Sequence, residues 1–269
     1  MVLMTIAASI RASCYGRTAV RLVAHLHDGS LSGVPRNESS QRTSLPPRPE
    51  EPLMSKAKIA YFEGRARVEP IRVMLEELAI PYEDQKVSFE MWGEMKKDTP
   101  FGALPSYREG DMEIFQSHAI MRHLARVHDL YGSTEAERVR CDVVEEALSD
   151  LNELVGKAPW RTHFANERAN YVANELGPAL GRLERFLESN QNPGGFWVGS
   201  SLTFVDLIAY AILDSTGAMF PEAMEKFAPL REFCDEIARR PRIAAYIESG
   251  RRPVTIQIGP RGPICNSDF

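Results

Sequence analysis

A tyrosine and an arginine near the first apolar run of the chain have the chemistry to stabilise a thiolate. Tyr61 lies within the run KIAYF (58–62), and Arg67 follows it by six residues. A phenol that points into a cleft can donate a hydrogen bond to a charged sulfur. A guanidinium nearby also favours the charged form, so both groups lower the pKa of a thiol. A strand tyrosine alone is more often a packing residue, so the pair indicates thiol chemistry only if further groups bind the thiol's carrier.

The dipeptide Gln116-Ser117 lies between a strand-like run and an amphipathic run, where a helix is predicted to begin. Ser117 is a suitable N-cap, since a serine oxygen accepts a hydrogen bond from the free N–H groups of the first helical turn. The same N–H groups, together with a hydroxyl, also bind carboxylates. The spacing favours the capping interpretation, with carboxylate binding as the alternative.

Pro105, in the segment FGALPSY, precedes another predicted strand. Most peptide bonds before proline are trans, and the segment on its own favours that isomer. A cis bond would turn the backbone of Leu104 outward. Its N–H and C=O groups would then pair with an extended, peptide-like ligand.

Several other patterns exclude chemistry. His118, His123 and His128 are five residues apart, so they do not share one helix face as metal ligands would. Residues 203–206 have the S/T-x-x-D form of a helix capping box, a structural motif. The four cysteines include no CxxC pair, which excludes zinc ribbons and thioredoxin-type redox motifs. A net charge of −5 argues against general nucleic-acid binding, and no apolar run is long enough to span a membrane.

The elements that would position these residues fall into two regions. From 57 to 131 the patterns predict the order β-α-β-(short helix)-β-β-α, which is a thioredoxin-like α/β unit. From 134 to 250 no convincing strand occurs, and proline and glycine breakers separate the periodic runs. The predicted helices span 134–158, 167–191, 203–217, 228–240 and 242–249. We therefore expect an α/β thioredoxin-like N-terminal domain (54–133), an all-α C-terminal domain (134–257) and a coil tail (258–269).

The first 53 residues differ in composition from the rest of the chain. They contain six arginines, no lysine and four acidic residues, and the segment 28–53 is rich in Ser, Pro and Arg. This composition is typical of a transit peptide followed by a disordered stretch. The alternative is that Met54 is the true start and that the upstream residues are an over-extended gene model. Both interpretations leave 1–53 outside the folded domains.

Over nearly all of 57–257, the sequence resembles the cytosolic glutathione S-transferases, with details between their sigma and pi classes. KIAYFEGRARVEPIR is similar to that family's first strand, catalytic loop and first helix. WGEMKKDTPFGALPSYREGDMEIFQSHAIMRHLAR is similar to its glutathione-binding block, and SLTFVDLIAYAIL to the capping box of its helical domain. A tyrosine in the first strand is typical of the Tyr-type classes. Tyr61 is the eighth residue if Met54 begins the chain, as in the family, which favours that start.

The resemblance implies a role for each residue that matches a family motif. Tyr61 and Arg67 would be catalytic, stabilising the thiolate of glutathione. Glutathione would be bound by these two residues, by Trp92 and Lys96 at the glycyl end, by Leu104 with a cis Pro105 at the cysteinyl backbone, by Gln116 and Ser117 at the γ-glutamyl carboxylate, and by Asp150 at the γ-glutamyl amino group across a dimer interface.

Three positions depart from the family pattern or leave it ambiguous. Lys97 stands beside Lys96, so either lysine can be the one that binds the glycyl carboxylate. Ala103 occupies a position that is often Gln or Lys in the family, which removes a polar contact. His118 stands where Asn or Leu is frequent.

The resemblance also implies the cosubstrate, the partners and the mechanism. Glutathione would supply the nucleophilic sulfur, no metal would be needed, and the thiolate would attack an electrophilic carbon of a small apolar substrate. That substrate would lie between Phe62, the loop Gly64-Arg65 and the helical domain, with Trp160 as a wall. The protein would be a cytoplasmic homodimer with Phe101 inserted into the partner subunit. A genuine transit peptide would make it mitochondrial or plastid instead.

Three functions fit this sequence. The first is a glutathione transferase that conjugates electrophiles. The second is a glutathione-dependent isomerase of the prostaglandin-synthase type, which would share the fold and the glutathione site. The third is a non-catalytic structural or binding relative. The presence of Tyr61, Arg67, Gln116 and Ser117 argues against the third, because such relatives typically lose the tyrosine or the carboxylate-binding pair.

Overall fold

The computed structural model of the chain describes residues 56–161, 163–190, 194–259 and 262–264. The expectation of a targeting or disordered extension concerns 1–53 and lies outside the described residues.

Residues 57–127 form a four-stranded mixed sheet with three helices. In chain order these elements are β1 (Ala57–Tyr61), α1 (Glu69–Glu77), β2 (Tyr82–Lys86), α2 (Phe89–Met95), β3 (Ser106–Glu109), β4 (Met112–Phe115) and α3 (Ser117–Val127). The strand order is β2-β1-β3-β4, in which β1 pairs parallel to β2 and antiparallel to β3. The thioredoxin-like order of elements predicted from the sequence is confirmed.

Helix α1 lies at the centre of the protein. Ile71, Val73, Met74 and Leu75 are all completely buried, so apolar side chains cover more than one face of this helix. It packs against α3 and also against two helices of the C-terminal half. A helix that is apolar on several sides is stable only when it is enclosed in this way.

The remaining described helices belong to the C-terminal half. They are α4 (Glu135–Lys157), α5 (Phe164–Tyr171), α6 (Gly177–Ser189), α7 (Phe204–Met219), α8 (Pro221–Met224), α9 (Ala228–Ala238) and α10 (Pro241–Glu248). The predicted helix 167–191 is interrupted, because a π-helical turn at Val172–Leu176 joins α5 to α6 just before Gly177-Pro178. None of the described helices combines the length and apolarity needed to cross a membrane.

Helix α7 is the buried core of this half, and its first turn confirms the predicted capping box. The backbone N–H and the hydroxyl of Thr203 both donate to Oδ2 of Asp206, at 2.7 and 2.8 Å. The other oxygen of Asp206 accepts from the backbone N–H of Trp197 at 2.8 Å. Asp206 therefore holds the preceding loop to the start of α7 and has a structural role.

The C-terminal tail differs from the predicted coil. Residues Gln257–Gly259 (β5) and Gly262–Ile264 (β6) form an antiparallel hairpin, and the N–H of Ile256 donates to the carbonyl of Ile264 at 2.7 Å. Each strand has only three residues, which is too short for an alternating pattern to be detected. The prediction of a structureless tail was wrong for this reason.

A buried ion-pair network joins the sheet side of the protein to the C-terminal half. Arg252 donates to Glu69 at 2.7 Å and to Asp214 of α7 at 2.5 Å. Glu69 also accepts from Arg72 at 3.3 Å, and Arg72 is completely buried. Arg72 in turn donates to Asp84 at the β2 edge, at 3.0 Å. The network fixes the chain just before the C-terminal hairpin.

Candidate active site

Three strand ends bring the predicted glutathione-binding residues to one end of the sheet. Tyr61 is the last residue of β1, and its neighbour Ala60 is in register with Ser106, the first residue of β3. Ser106 is in turn in register with Phe115, the last residue of β4. The segments Leu104-Pro105 and Gln116-Ser117 therefore lie beside Tyr61, although more than forty residues separate them from it in the sequence.

Tyr61 is arranged as a hydrogen-bond donor. Its side chain is only 8% exposed, and burial raises the pKa of the phenol above its ordinary value, so the hydroxyl keeps its proton. The backbone N–H and the charge of Arg67 both act against this shift, so Arg67 lies near the phenol oxygen. A protonated phenol has its own O–H to donate, and the acceptor can be a sulfur brought to the site.

Arg67 lies in a 3-10 turn, Ala66–Val68, between β1 and α1. Its side chain is exposed, and its charge contributes, after the larger effect of Lys157, to lowering the pKa of Glu153 on α4. The guanidinium therefore lies on the side of the turn that faces α4. The effect of the Arg67 backbone on the pKa of Tyr61 was not expected from the sequence, which suggested only the side-chain charge.

The C-terminal tail holds this turn in place. The N–H of Arg65 donates to the carbonyl of Thr255, and the N–H of Ala66 to that of Ile256, both at 2.9 Å. A Cβ added to Gly64 would lie 3.5 Å from the Thr255 side chain, so the two segments are in close contact. Sequence reasoning missed the tail as part of the site, because nothing in its composition points to a partner so distant in the chain.

Arg65 has a structural role, unlike Arg67. It is buried, its Nε donates to the carbonyl of Pro253 at 2.8 Å, and its guanidinium lies 3.4 Å from Asp214. These contacts direct its charge away from Tyr61 and toward the ion-pair network. Arg65 is therefore a poor alternative to Arg67 as a thiolate-stabilising group.

The peptide bond between Leu104 and Pro105 is cis, as the resemblance implied. Pro105 is buried and Leu104 is half-buried at the entrance to β3. The backbone of Leu104 is thus located next to the end of β1, where an extended ligand would pass Tyr61.

The junction of β4 and α3 does not use Ser117 as an N-cap. The N-cap is Gln116, which makes no side-chain capping bond, and Ser117 is the first helical residue and is buried. The capping interpretation was therefore wrong. Gln116 has φ 71° and ψ 116°, a conformation that is unfavourable for a residue with a side chain. Strain of this kind concentrates at functional sites, which favours the carboxylate-binding interpretation.

Gln116 offers a test of this strain. We expect Gln116→Gly to leave the free energy of unfolding unchanged or raise it by about 1 kcal/mol, since glycine tolerates a positive φ. The same variant should weaken glutathione binding about tenfold or more, because one charged-group hydrogen bond is lost. Gln116→Ala is the control: it should lose affinity equally but gain no stability. Urea denaturation and isothermal titration calorimetry measure both quantities. Unchanged affinity in both variants would contradict the assignment of Gln116.

Helix α2 and the 3-10 turn that follows it, Lys96–Asp98, carry the residues predicted for the glycyl end. The ring of Trp92 lies 6.0 Å from that of Phe62, edge to face, and Phe89 stacks on Phe62 at 5.1 Å. Phe62 is thus held in an aromatic cluster with α2. Lys97 forms an ion pair with Glu94 at 3.5 Å, whereas Cε of Lys96 lies 3.3 Å from where a Cβ on Gly102 would stand. This arrangement favours Lys96 as the residue directed toward the Leu104 loop.

The remaining predicted residues lie on or after α4. Asp150 is exposed on this helix, and Trp160, which follows the helix end, is 58% exposed. The side chain of Gln257 from the C-terminal hairpin lies against Gly156, since a Cβ there would be 2.8 Å from its Nε2. Gln257 is a further candidate for the second-substrate side that sequence reasoning did not find.

Within the described part of the chain, no cluster of three or more His, Cys, Asp or Glu side chains has an arrangement that would hold a metal ion.

Two family models match this chain. Residues 57–126 match the glutathione S-transferase N-terminal domain, and residues 149–250 match the glutathione S-transferase C-terminal domain. The first match includes the strand ends that carry Tyr61, Leu104 and Gln116, and the second includes Asp150 and the capping box of α7.

Similar proteins and structures come from several animals. Glutathione S-transferase P of Caenorhabditis elegans is 34% identical over 190 residues, which cover 71% of this chain and 91% of that protein. Glutathione S-transferase P 1 of Bufo bufo is 32% identical over 73% of this chain and 95% of that protein. The structure of the pi-class enzyme of Onchocerca volvulus has a TM-score of 0.68 and 28% identity, covering 72% of this chain and 93% of that one. Prostaglandin synthase D of Nilaparvata lugens has a TM-score of 0.66 and 27% identity, covering 74% and 100%. The chain therefore belongs to the glutathione S-transferase family.

Proposed function

We propose that this protein joins the sulfur of glutathione to electrophilic, apolar small molecules, with Tyr61 as the group that stabilises the thiolate. The observation that carries the proposal is the buried phenol of Tyr61 at the end of β1, beside the cis Leu104-Pro105 segment and the start of α3. Burial keeps the proton on the phenol, so that proton is available to the sulfur. The charge of Arg67 acts in the same direction, because a nearby cation favours the ionised thiol. Thiolate, not thiol, is the nucleophile.

Glutathione would lie across the three strand ends. Its γ-glutamyl carboxylate would be held at the start of α3 by Gln116 and Ser117, and its cysteinyl backbone would pair with Leu104 beside Pro105. Its glycyl carboxylate would be bound by Lys96 and Trp92. Binding both charged ends positions the sulfur at Tyr61 and removes much of the entropic cost of bringing the reactants together.

The second substrate would lie on the α4 side of the thiolate. Gly64 lies against Thr255, and Gln257 of the hairpin lies against Gly156 of α4, so the tail borders this side. Phe62 and the exposed indole of Trp160 would supply the apolar contacts for a small molecule.

Activity assays on the full chain test this proposal. We would supply glutathione with an aryl halide, an enal, a hydroperoxide or a prostaglandin H-type endoperoxide. Conjugation of the halide or enal would support the transferase function. Selective conversion of the endoperoxide without conjugation would support the isomerase alternative, which the likeness to a prostaglandin synthase makes worth measuring. Glutathione binding without turnover of any of the four would contradict both enzymes and support a non-catalytic relative.

As the resemblance implies, the protein should be cytoplasmic. It should also be a homodimer, since Asp150 is exposed on α4 and Phe101 is 69% exposed beside the glutathione loop. An exposed phenylalanine of this size is suited to insertion into a partner subunit. We expect light scattering to give twice the monomer mass at micromolar concentration.

Asp150→Asn should weaken glutathione binding about tenfold by removing a charged contact, whereas Glu135→Gln, on the same helix, should not. A stable monomer with full affinity would contradict both roles.

A further inference from the structure

A histidine bridges the two helices that carry Ser117 and Asp150. Nδ1 of His118, on α3, lies 2.8 Å from Oε1 of Glu145 on α4, and Nε2 lies 3.3 Å from Oγ of Ser149. An imidazole with partners at both nitrogens has one preferred orientation, because turning the ring breaks one contact or the other. The ring therefore fixes α3 against α4 at this level.

The charged groups around this bridge determine which ring nitrogen of His118 donates a hydrogen bond. Glu145 is completely buried and forms an ion pair with Arg122, one turn along α3. A buried carboxylate requires donors, so Nδ1 of the imidazole donates toward Glu145. Nε2 is then the acceptor for the hydroxyl proton of Ser149. Glu145 thus orients the imidazole of His118, and the imidazole orients the hydroxyl of Ser149.

The same three side chains have the order of a serine hydrolase triad, but their setting does not fit that function. Ser149 lies within α4, well before its end at Lys157. The backbone N–H groups of a helix interior are engaged in helical hydrogen bonds and do not form an oxyanion hole. The cluster is therefore suited to positioning rather than to nucleophilic attack.

The bridge connects residues that serve two different active sites. Ser117 directly precedes His118, and Asp150 directly follows Ser149. We propose that His118 is a positioning residue. Through its bond to Ser149, it holds Asp150 in place for the glutathione site of the partner subunit and connects Asp150 to Ser117 of its own subunit. This inference rests on the proposed function, in which Ser117 holds the γ-glutamyl carboxylate and Asp150 reaches the γ-glutamyl amino group across the dimer.

Mixed dimers test the proposal on the full chain. One subunit is unmodified, and the other carries Tyr61→Phe, which inactivates its own site, together with His118→Leu. The only fully active site then has its own His118 but depends on Asp150 from the altered subunit. We expect its KM for glutathione to rise about three- to tenfold, the value of one hydrogen bond, while its kcat stays the same.

Two further dimers act as controls. His123→Leu in place of His118→Leu makes the same substitution on α3, but His123 packs near Tyr107 at 6.2 Å instead of bonding to α4. It should leave the KM of the active site unchanged. Asp150→Asn in the altered subunit should raise the KM by itself, and adding His118→Leu should raise it little further, since both act through the same carboxylate.

The outcomes separate this inference from the function on which it rests. An unchanged KM with His118→Leu, or a rise that adds fully to that of Asp150→Asn, overturns the role of His118 and leaves the transferase intact. A dimer with only Tyr61→Phe should retain about half the activity, one of its two sites being intact. If this dimer retains full activity, the assignment of Tyr61 as the thiolate-stabilising residue is wrong.

Discussion

Tyr61→Phe should lower kcat tenfold to a hundredfold at neutral pH while changing the affinity for glutathione little. The variant removes one hydroxyl, which burial keeps protonated and which, in the proposed site, contacts only the sulfur of glutathione. A hydrogen bond to a charged group is worth about 1.5–3 kcal/mol, so the pKa of the bound thiol should rise by roughly one to two units. Steady-state kinetics with an aryl halide and calorimetry with glutathione give the two quantities.

Matched variants separate the two ends of glutathione in the same assays. Arg67→Ala should move the thiol pKa in the same direction as Tyr61→Phe, since it removes a favourable charge. Ser117→Ala should weaken binding and leave the thiol pKa nearly unchanged, because it acts at the γ-glutamyl end. Full activity in Tyr61→Phe would show that Arg67 or another donor stabilises the thiolate.

Arg252→Met should destabilise the protein by about 3–5 kcal/mol, the usual result of removing one partner from a buried ion pair. The Arg252 side chain is only 8% exposed and bonds to Glu69, which is 1% exposed, and to Asp214. Methionine keeps most of the packing volume but leaves Glu69 short of a cation. The midpoint and slope of urea denaturation measure the change in free energy of unfolding.

The adjacent arginine supplies the control. Arg251 forms an ion pair with Glu76 at 2.6 Å, but its side chain is 56% exposed. Exposed pairs contribute at most about 1 kcal/mol, so Arg251→Met should be close to neutral. Equal effects of the two variants would contradict the view that burial makes this network important. Arg252→Met should also lower turnover in the protein that still folds. The residues that follow Arg252 bond to Arg65 and Ala66, which lie between Tyr61 and Arg67.

The parts of the fold that were predicted correctly depend on local signals. The strand predicted at 58–62 is observed at Ala57–Tyr61, and the Gly-Asp turn separates β3 from β4 as expected. The capping box at Thr203 and Asp206 is also present. Hydrophobic periodicity, turn residues and helix caps each involve only a few neighbouring residues. They can therefore be identified from the sequence without knowledge of the elements that pack against them.

The parts that were missed depend on contacts distant in sequence. The segment just before the C-terminal hairpin bonds to a turn near position 65, and the side chains of Arg65 and Arg252 are buried against Asp214. Composition marks such arginines as surface residues. The backbone of Gln116 is also unpredictable from residue type, since a positive φ at glutamine opposes local preference and is imposed by the strand and helix on either side.

The most direct test that this site stabilises the thiolate of glutathione is the ultraviolet absorbance of the bound thiolate, titrated against pH in the complex of the unmodified chain with glutathione. Because burial raises the pKa of Tyr61, its phenol stays protonated through neutral pH and does not contribute to a change in absorbance there. We expect the bound thiol to ionise at a pKa at least about one unit below that of free glutathione, a shift worth about 1.4 kcal/mol. A bound thiol that ionises at the same pH as free glutathione would contradict this account.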